Sequence, residues 1–177
     1  MVASSKNMVI GKNNNLPWKL KEDTEYYQNM VNDQICIYGR KTFDDCSKKL
    51  IDNRINIVIT SSIRNDEKNI FYTTIENVYL VLNNVHKIYP NKKIFILGGE
   101  NIYKYFLPKC KFLYFTMIDK YYDGDIFFPY YSGYNIIEYS KKFYSIECEC
   151  EYQFQIFENN FNNTKIEDYN PDNVKLY

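Results

Sequence analysis

Apolar residues in this chain fall into short dense runs set between asparagine- and lysine-rich stretches. Gln34–Gly39 is a compact apolar run stopped by glycine, the pattern of a buried strand. Arg54–Ser62 alternates and then turns polar, and Lys93–Leu97 and Phe112–Ile118 read as two further strands. Val2-Ala3 and Val9-Ile10 flank the polar Ser4–Asn7, which suggests a short strand running into a loop. Helical spacing lies between these runs. Tyr26, Tyr27, Met30 and Val31 share one face of a helix from about Lys21 to Asn32. Ile75, Val78, Tyr79 and Leu82 share one face of a helix that Thr74 could cap, through about Asn83. Short helices open after Gly39 and after Gly98-Gly99, and Pro108 closes the second. Asn135–Cys150 and Tyr152–Phe157 alternate as a closing antiparallel pair. The pattern predicts one α/β domain: a mostly parallel central sheet of about eight strands, an antiparallel C-terminal edge and about four flanking helices. The domain is expected over residues 1–158, and 159–177, polar and poor in anchors, as a loose tail.

Composition narrows the classes of function. The formal net charge is zero, which argues against a nucleic-acid binder, since that needs a basic face. The five cysteines have no metal-ligand spacing and His86 is the single histidine, so a zinc site is not expected. They read as free thiols of a reducing compartment. No apolar run is long enough to span a bilayer and no signal peptide opens the chain, so a cytoplasmic location is expected.

Candidate chemistry gathers in Leu16–Tyr27, which holds a proline, the chain's one tryptophan (Trp18), Asp23 and two tyrosines. Asp23 sits in the first turn of the expected helix, where the helix dipole favours a negative charge. Three residues before Tyr26, it can point to the apolar side. An acid among aromatics suits proton chemistry, although a surface helix start reads the same way. Gly39-Arg40-Lys41-Thr42 at a strand-to-helix turn suits a phosphate, or is a solvated turn. Gly98-Gly99 before a helix lets the backbone approach a ligand closely, but is not a full dinucleotide fingerprint.

In order and spacing these stretches resemble dihydrofolate reductase. The resemblance rests on Ile10-Gly11, Leu16-Pro17-Trp18, Asp23, Gly39–Phe43, Arg54, Ile96–Gly99 with Tyr103, Tyr114–Ile118 and Gly124–Pro129, and it runs from Val2 to about Phe157. It implies reduction of dihydrofolate to tetrahydrofolate with NADPH, in a monomer that also binds antifolates such as methotrexate. Asp23 would hold the amino-pyrimidine edge of the pterin by charge-assisted hydrogen bonds, with Thr116 orienting it and a water carrying the proton. Burial would raise its pKa. Trp18 and the loop Ser5–Leu16 match a lid over the nicotinamide.

Met1, Val2, Tyr27, Cys46, Leu50, Arg54 and Leu97 match the folate wall, with Arg54 gripping the glutamate carboxylate. Ala3, Ile10, Gly11, Leu97 and Tyr103 match the nicotinamide side. Gly98 and Gly99 match a cis Gly-Gly pair, and Glu100, Asn101 and Ile102 a pyrophosphate cradle. Gly39, Arg40, Lys41 and Thr42 match a second phosphate turn, with Thr60, Ser61 and Ser62 toward the adenosine end.

Departures from the family pattern are Tyr27 and Cys46, more polar than usual, a bulky Tyr38, and Asn101 where a cation can stand. The 2′-phosphate would then lean on Arg40, Lys41 and Arg64. The first strand is expected to be short, with Met1 at the place of a residue whose carbonyl meets the pterin. A thymidylate synthase half, which some relatives carry, does not fit within the chain. Two rival functions are an aminopyrimidine reductase of riboflavin synthesis on the same fold, and a non-catalytic folate or nucleotide-binding module. The Leu-Pro-Trp to Asp23 spacing argues against the first and the Asp23–Thr116 pair against the second.

Overall fold

The computed structural model describes residues 1–46 and 48–160. In chain order the elements are β1 (Val2–Ser5), β2 (Val9–Gly11), α1 (Lys21–Val31), β3 (Ile35–Gly39), α2 (Arg40–Asp44), α3 (Lys48–Asp52), β4 (Ile55–Ile59), β5 (Ile70–Thr73), α4 (Val78–Ile88), β6 (Ile94–Ile96), α5 (Glu100–Phe106), a 3-10 turn (Leu107–Lys109), β7 (Phe112–Ile118), β8 (Ile126–Phe127), β9 (Tyr134–Tyr139), β10 (Phe143–Ser145) and β11 (Cys150–Asn159).

One sheet has the order β5-β4-β3-β6, with every pairing parallel. A second runs β1-β7-β11-β10, with β9 also on β11; only β1 and β7 are parallel there. β2 and β8 form a separate antiparallel ribbon. The two larger sheets meet at Met1. Its amino group donates to the Ile96 carbonyl at 3.0 Å, and its carbonyl accepts from the Tyr103 hydroxyl at 2.8 Å. Burial lowers the pKa of that amino group to about 6.

β3 is covered on both faces, and its side chains sort by the period of two. Ile35 and Ile37 face a core shared with Val78, Leu82 and Val85 of α4 and with Phe106 of α5. Cys36 and Tyr38 face Val31, Phe43 and Phe95 on the α1 side.

The mixed α/β domain is as expected, but the sheet is not mostly parallel. Among the described residues eleven strands form, with four parallel and four antiparallel pairings, and five α-helices flank them. The C-terminal third makes the difference. Asn135–Cys150 is not one strand: β9 and β10 line up along different parts of the long β11. β5, absent from the sequence reading, adds to β4.

Ser4 and Ser5 belong to β1 rather than to a loop, and both are fully buried. Their hydroxyls have partners inside the fold, which offsets the desolvation of polar groups. Ser4 Oγ donates to the Val9 carbonyl at 3.3 Å, and Ser5 Oγ accepts from Val9 N at 3.0 Å.

Helix α4 starts at Val78 behind Asn77, not at Thr74. The Thr74 side chain bonds to Glu76 instead of capping the helix. Strand β11 reaches Asn159, whose Nδ2 donates to the Cys110 carbonyl at 3.2 Å, so the fold extends one residue past the expected boundary. The remainder of the expected tail, from 161, lies outside the described residues.

Candidate active site

A cavity of about 420 Å³ opens between β1, the loop after β2, the start of α1 and the carboxyl end of β6. Asp23 lies on its wall. The Leu20 carbonyl accepts Thr24 N and Thr24 Oγ1, both at 3.1 Å; this closes the first turn of α1 and sets Asp23 beside the sheet. Thr116, 1% exposed in the middle of β7 and opposite Ala3 of β1, donates its side-chain hydroxyl to Asp23. Burial raises the Asp23 carboxyl above the ordinary carboxylate range, and the Thr116 hydrogen bond pulls it partway back. The carboxyl is therefore tunable, half hidden from water and anchored by one donor.

Opposite Asp23 the chain comes very close to itself. Gly39 N donates to the Gly98 carbonyl at 2.6 Å, which ties the end of β3 to the turn after β6. The Gly98-Gly99 peptide is cis, and Gly98 has φ +104, a region L side chains avoid. A methyl on Gly98 would meet the Tyr103 ring at 3.0 Å, and one on Gly99 would meet Thr42 Oγ1 at 3.2 Å. Only bare backbone fits between α2 and α5. Gly99 O in turn accepts Ile102 N and Tyr103 N, both at 3.0 Å.

Several residues singled out from the sequence come together here. Met1, Val2, Ala3, Ile10, Gly11, Asp23, Tyr27, Thr42, Leu97, Gly98, Gly99 and Tyr103 all line the cavity. Others do not line it. Trp18 is buried at the base of the loop, edge-on to Tyr122 at 5.2 Å, because an indole this large packs best against another aromatic ring. Its Nε1 has no protein acceptor among the described residues.

Cys46 donates its thiol to the Thr42 carbonyl at 3.4 Å and faces the α1-side core, and Leu50 lies farther along on α3. Arg54 is not on the cavity wall. It is 3% exposed and held by tyrosine hydroxyls.

Apart from Thr42, the residues expected at the phosphates lie outside the cavity. Arg40 pairs with Asp44 at 2.7 Å, and Arg64 reaches the same carboxylate at 3.5 Å. Lys41, Asn101, Ser61 and Ser62 are exposed. Thr60 is buried and accepts Ser62 N at 3.1 Å. Glu100 pairs with Lys104 at 2.6 Å, and Ile102 packs beneath Gly39.

Asn14, Asn15 and Leu16, from the loop matched to the lid, also line the cavity, and so do Thr24, Asp45 and Ile126, which were not assigned from the sequence. Asp23 is therefore not the cavity's single carboxylate. Asp45 stands at the α2 edge, exposed, and accepts Asn14 Nδ2 at 2.9 Å across the mouth. No local pattern marks either residue, because the contact joins two loops far apart in sequence. Among the described residues no cluster of His, Cys, Asp or Glu could hold a metal, and no helix is long and apolar enough to cross a membrane.

The mixed sheet, the glycine pair at the head of α5 and the carboxyl buried beside β7 define an α/β reductase. Residues 1–159 match the dihydrofolate reductase family model. A dihydrofolate reductase of Buchnera aphidicola, subspecies Acyrthosiphon pisum, is 37% identical over 134 residues, 76% of this chain and 80% of that one. One from Staphylococcus haemolyticus is 35% identical over 129 residues, 73% of this chain and 74% of that one. Among solved structures, dihydrofolate reductase from Enterococcus faecalis superposes with a TM-score of 0.73 at 24% identity, covering 90% of this chain and 94% of that one. The chain belongs to the dihydrofolate reductase family.

Proposed function

We propose that this protein reduces 7,8-dihydrofolate to 5,6,7,8-tetrahydrofolate with NADPH, as a cytoplasmic monomer. The observation that carries the reading is Asp23, set into the cavity wall with its carboxyl raised by burial and hydrogen-bonded by Thr116. Family membership supports it. The Enterococcus faecalis relative was solved in complex with NADP(H), which supports the cofactor.

The residues present fit a dinucleotide. Gly98 and Gly99 clear a gap that any Cβ would fill, and Ala3, Ile10, Gly11 and Thr42 flank it. When bound, the nicotinamide supplies the hydride. Arg40 and Arg64, gathered on Asp44 at the end of α2, would hold the 2′-phosphate.

On the substrate side, Asp23 binds the amino-pyrimidine edge of the pterin through two charge-assisted hydrogen bonds and raises the basicity of the ring that takes the proton. Thr116 holds the carboxylate in register. A solvent water brings the proton, since no second acid is buried with Asp23 among the described cavity residues. The carbonyls of Met1 and Leu97 offer acceptors to the pterin amino group. Val2, Tyr27 and Leu97 wall its ring. The loop carrying Asn14–Leu16 covers the mouth and limits water.

Both rival readings lose support. The Asp23–Thr116 pair has no purpose in a non-catalytic binder, and the chain's relatives are dihydrofolate reductases rather than riboflavin enzymes. The test is the fall in NADPH absorbance on adding dihydrofolate to the purified protein, and its suppression by methotrexate. Turnover blocked by the antifolate supports the reading. A protein that binds both ligands without oxidising NADPH would sink it.

A further inference from the structure

Arg54, just before β4, is 3% exposed, yet its partners are neutral. Nη1 donates to the Tyr27 hydroxyl at 2.8 Å and to the Tyr38 hydroxyl at 2.9 Å, which uses both of its protons. The guanidinium also lies over the Tyr27 ring, 4.9 Å from its centre. A guanidinium has five N–H groups and is always charged. The other three have no protein acceptor among the described residues, and no carboxylate pairs with this arginine there. Its unpartnered N–H groups are not sealed from solvent, so the fork stays open to a ligand, and an anion is the partner that a guanidinium fork fits best.

The phenols explain how the cation is held without being neutralised. Burial pushes the Tyr27 hydroxyl up to about 12 and raises that of Tyr38 further, so neither supplies a counter-charge near neutral pH. A carboxylate in their place would cancel the charge and occupy the fork. Tyr38 is fully buried on β3, and its ring is fixed edge-on to Phe43 at 5.6 Å. Tyr27 lines the main cavity, whereas Arg54 lines a neighbouring one of about 310 Å³ at the far end of α1. The Tyr27–Arg54 bond thus joins the pocket that holds Asp23 to the space beyond it.

We propose that Tyr27 and Tyr38 are positioning residues that clamp one nitrogen of Arg54 and leave its Nε–Nη2 edge for a carboxylate on the tail of the ligand, so that the pair sets this protein's preference for anionic-tailed over tailless pterins. The proposal rests on the dihydrofolate reading and goes beyond it by assigning that preference to two hydroxyl groups. Each hydroxyl removed unfastens one proton of Nη1 and lets the fork turn away.

The experiment compares dihydrofolate with a dihydropterin that lacks the aminobenzoylglutamate tail, in the wild type and in Tyr38→Phe. The phenylalanine keeps the ring and deletes the hydroxyl. KM for dihydrofolate is expected to rise about five- to tenfold, as for loss of one charge-assisted hydrogen bond, with the loss in KM rather than kcat. kcat/KM for the tailless pterin should change far less. Arg54→Lys should reproduce the selective loss, because an ammonium offers no fork.

Equal losses for both pterins, or no loss for either, would overturn the proposal and leave the reductase reading intact, since the wild type serves as its own control. If Tyr38→Phe does not fold, Arg54→Lys carries the test with the same two outcomes.

Discussion

The Thr116 hydroxyl, in the middle of β7, bonds to the carboxylate of Asp23 in the first turn of α1. This bond joins residues 93 positions apart and sets the charge state of the cavity. It favours the ionised acid, while burial disfavours it more strongly.

Removing the bond should therefore move the titration of Asp23 upward. Thr116→Val keeps the shape and deletes the donor. The apparent acid pKa in the pH profile of kcat/KM should rise above the wild-type value, with activity at neutral pH reduced. An unchanged profile would mean that the Thr116 bond does not act on the titrating group.

Asp23→Asn separates activity from stability. Loss of the charge that polarises the ring should cost about two to four decades in turnover at neutral pH. The effect on stability has the opposite sign. The folded pKa of Asp23 lies above its unfolded value, so the folded state binds more protons between the two, and stability falls as pH rises through that window. The asparagine does not titrate. Thermal melts should show the variant gaining on the wild type as pH rises past the folded pKa, with the gain absent in acid. A variant that is fully active, or that loses stability relative to the wild type at high pH, contradicts the assignment.

Arg40 and Arg64 converge on one carboxylate, Asp44, at 2.7 and 3.5 Å. Two guanidinium groups sharing a single acid keep excess positive charge for a phosphate monoester. Replacing both with alanine should raise KM for NADPH about tenfold or more while changing KM for NADH much less. Equal effects on the two cofactors would place the 2′-phosphate elsewhere.

Arg54 shows where local pattern stops. The family resemblance implied a carboxylate grip for it, and the bulk of Tyr38 stood out as a departure. That the two belong together depends on β3 and β4 lying side by side, with the Tyr38 ring turned toward the α1 side, and no spacing in the chain encodes this. Thr74 fails for a related reason. It has the right side chain for a cap, but β5 ends one residue earlier and the turn to Glu76 takes its hydroxyl. Ser4 and Ser5 read as loop because a polar pair in a strand is unfavourable until Val9 supplies its backbone partners.

What the sequence alone determined was therefore local or serial. Hydrophobic runs specified β3, β6 and β7, the first two stopped by glycine. The 3.6-residue period specified α1, and the order of the glycine pair, Asp23 and Thr116 specified the family resemblance, because each of these signals is contained within a few residues or in their succession. The tertiary structure decided how the C-terminal strands divide along β11, which loop residues wall the cavity, that Trp18 faces inward, and that Arg54 is held by phenols. Those outcomes turn on pairing between distant strands and on which polar group finds a partner once water is excluded. Both are properties of the assembled sheet rather than of any one segment.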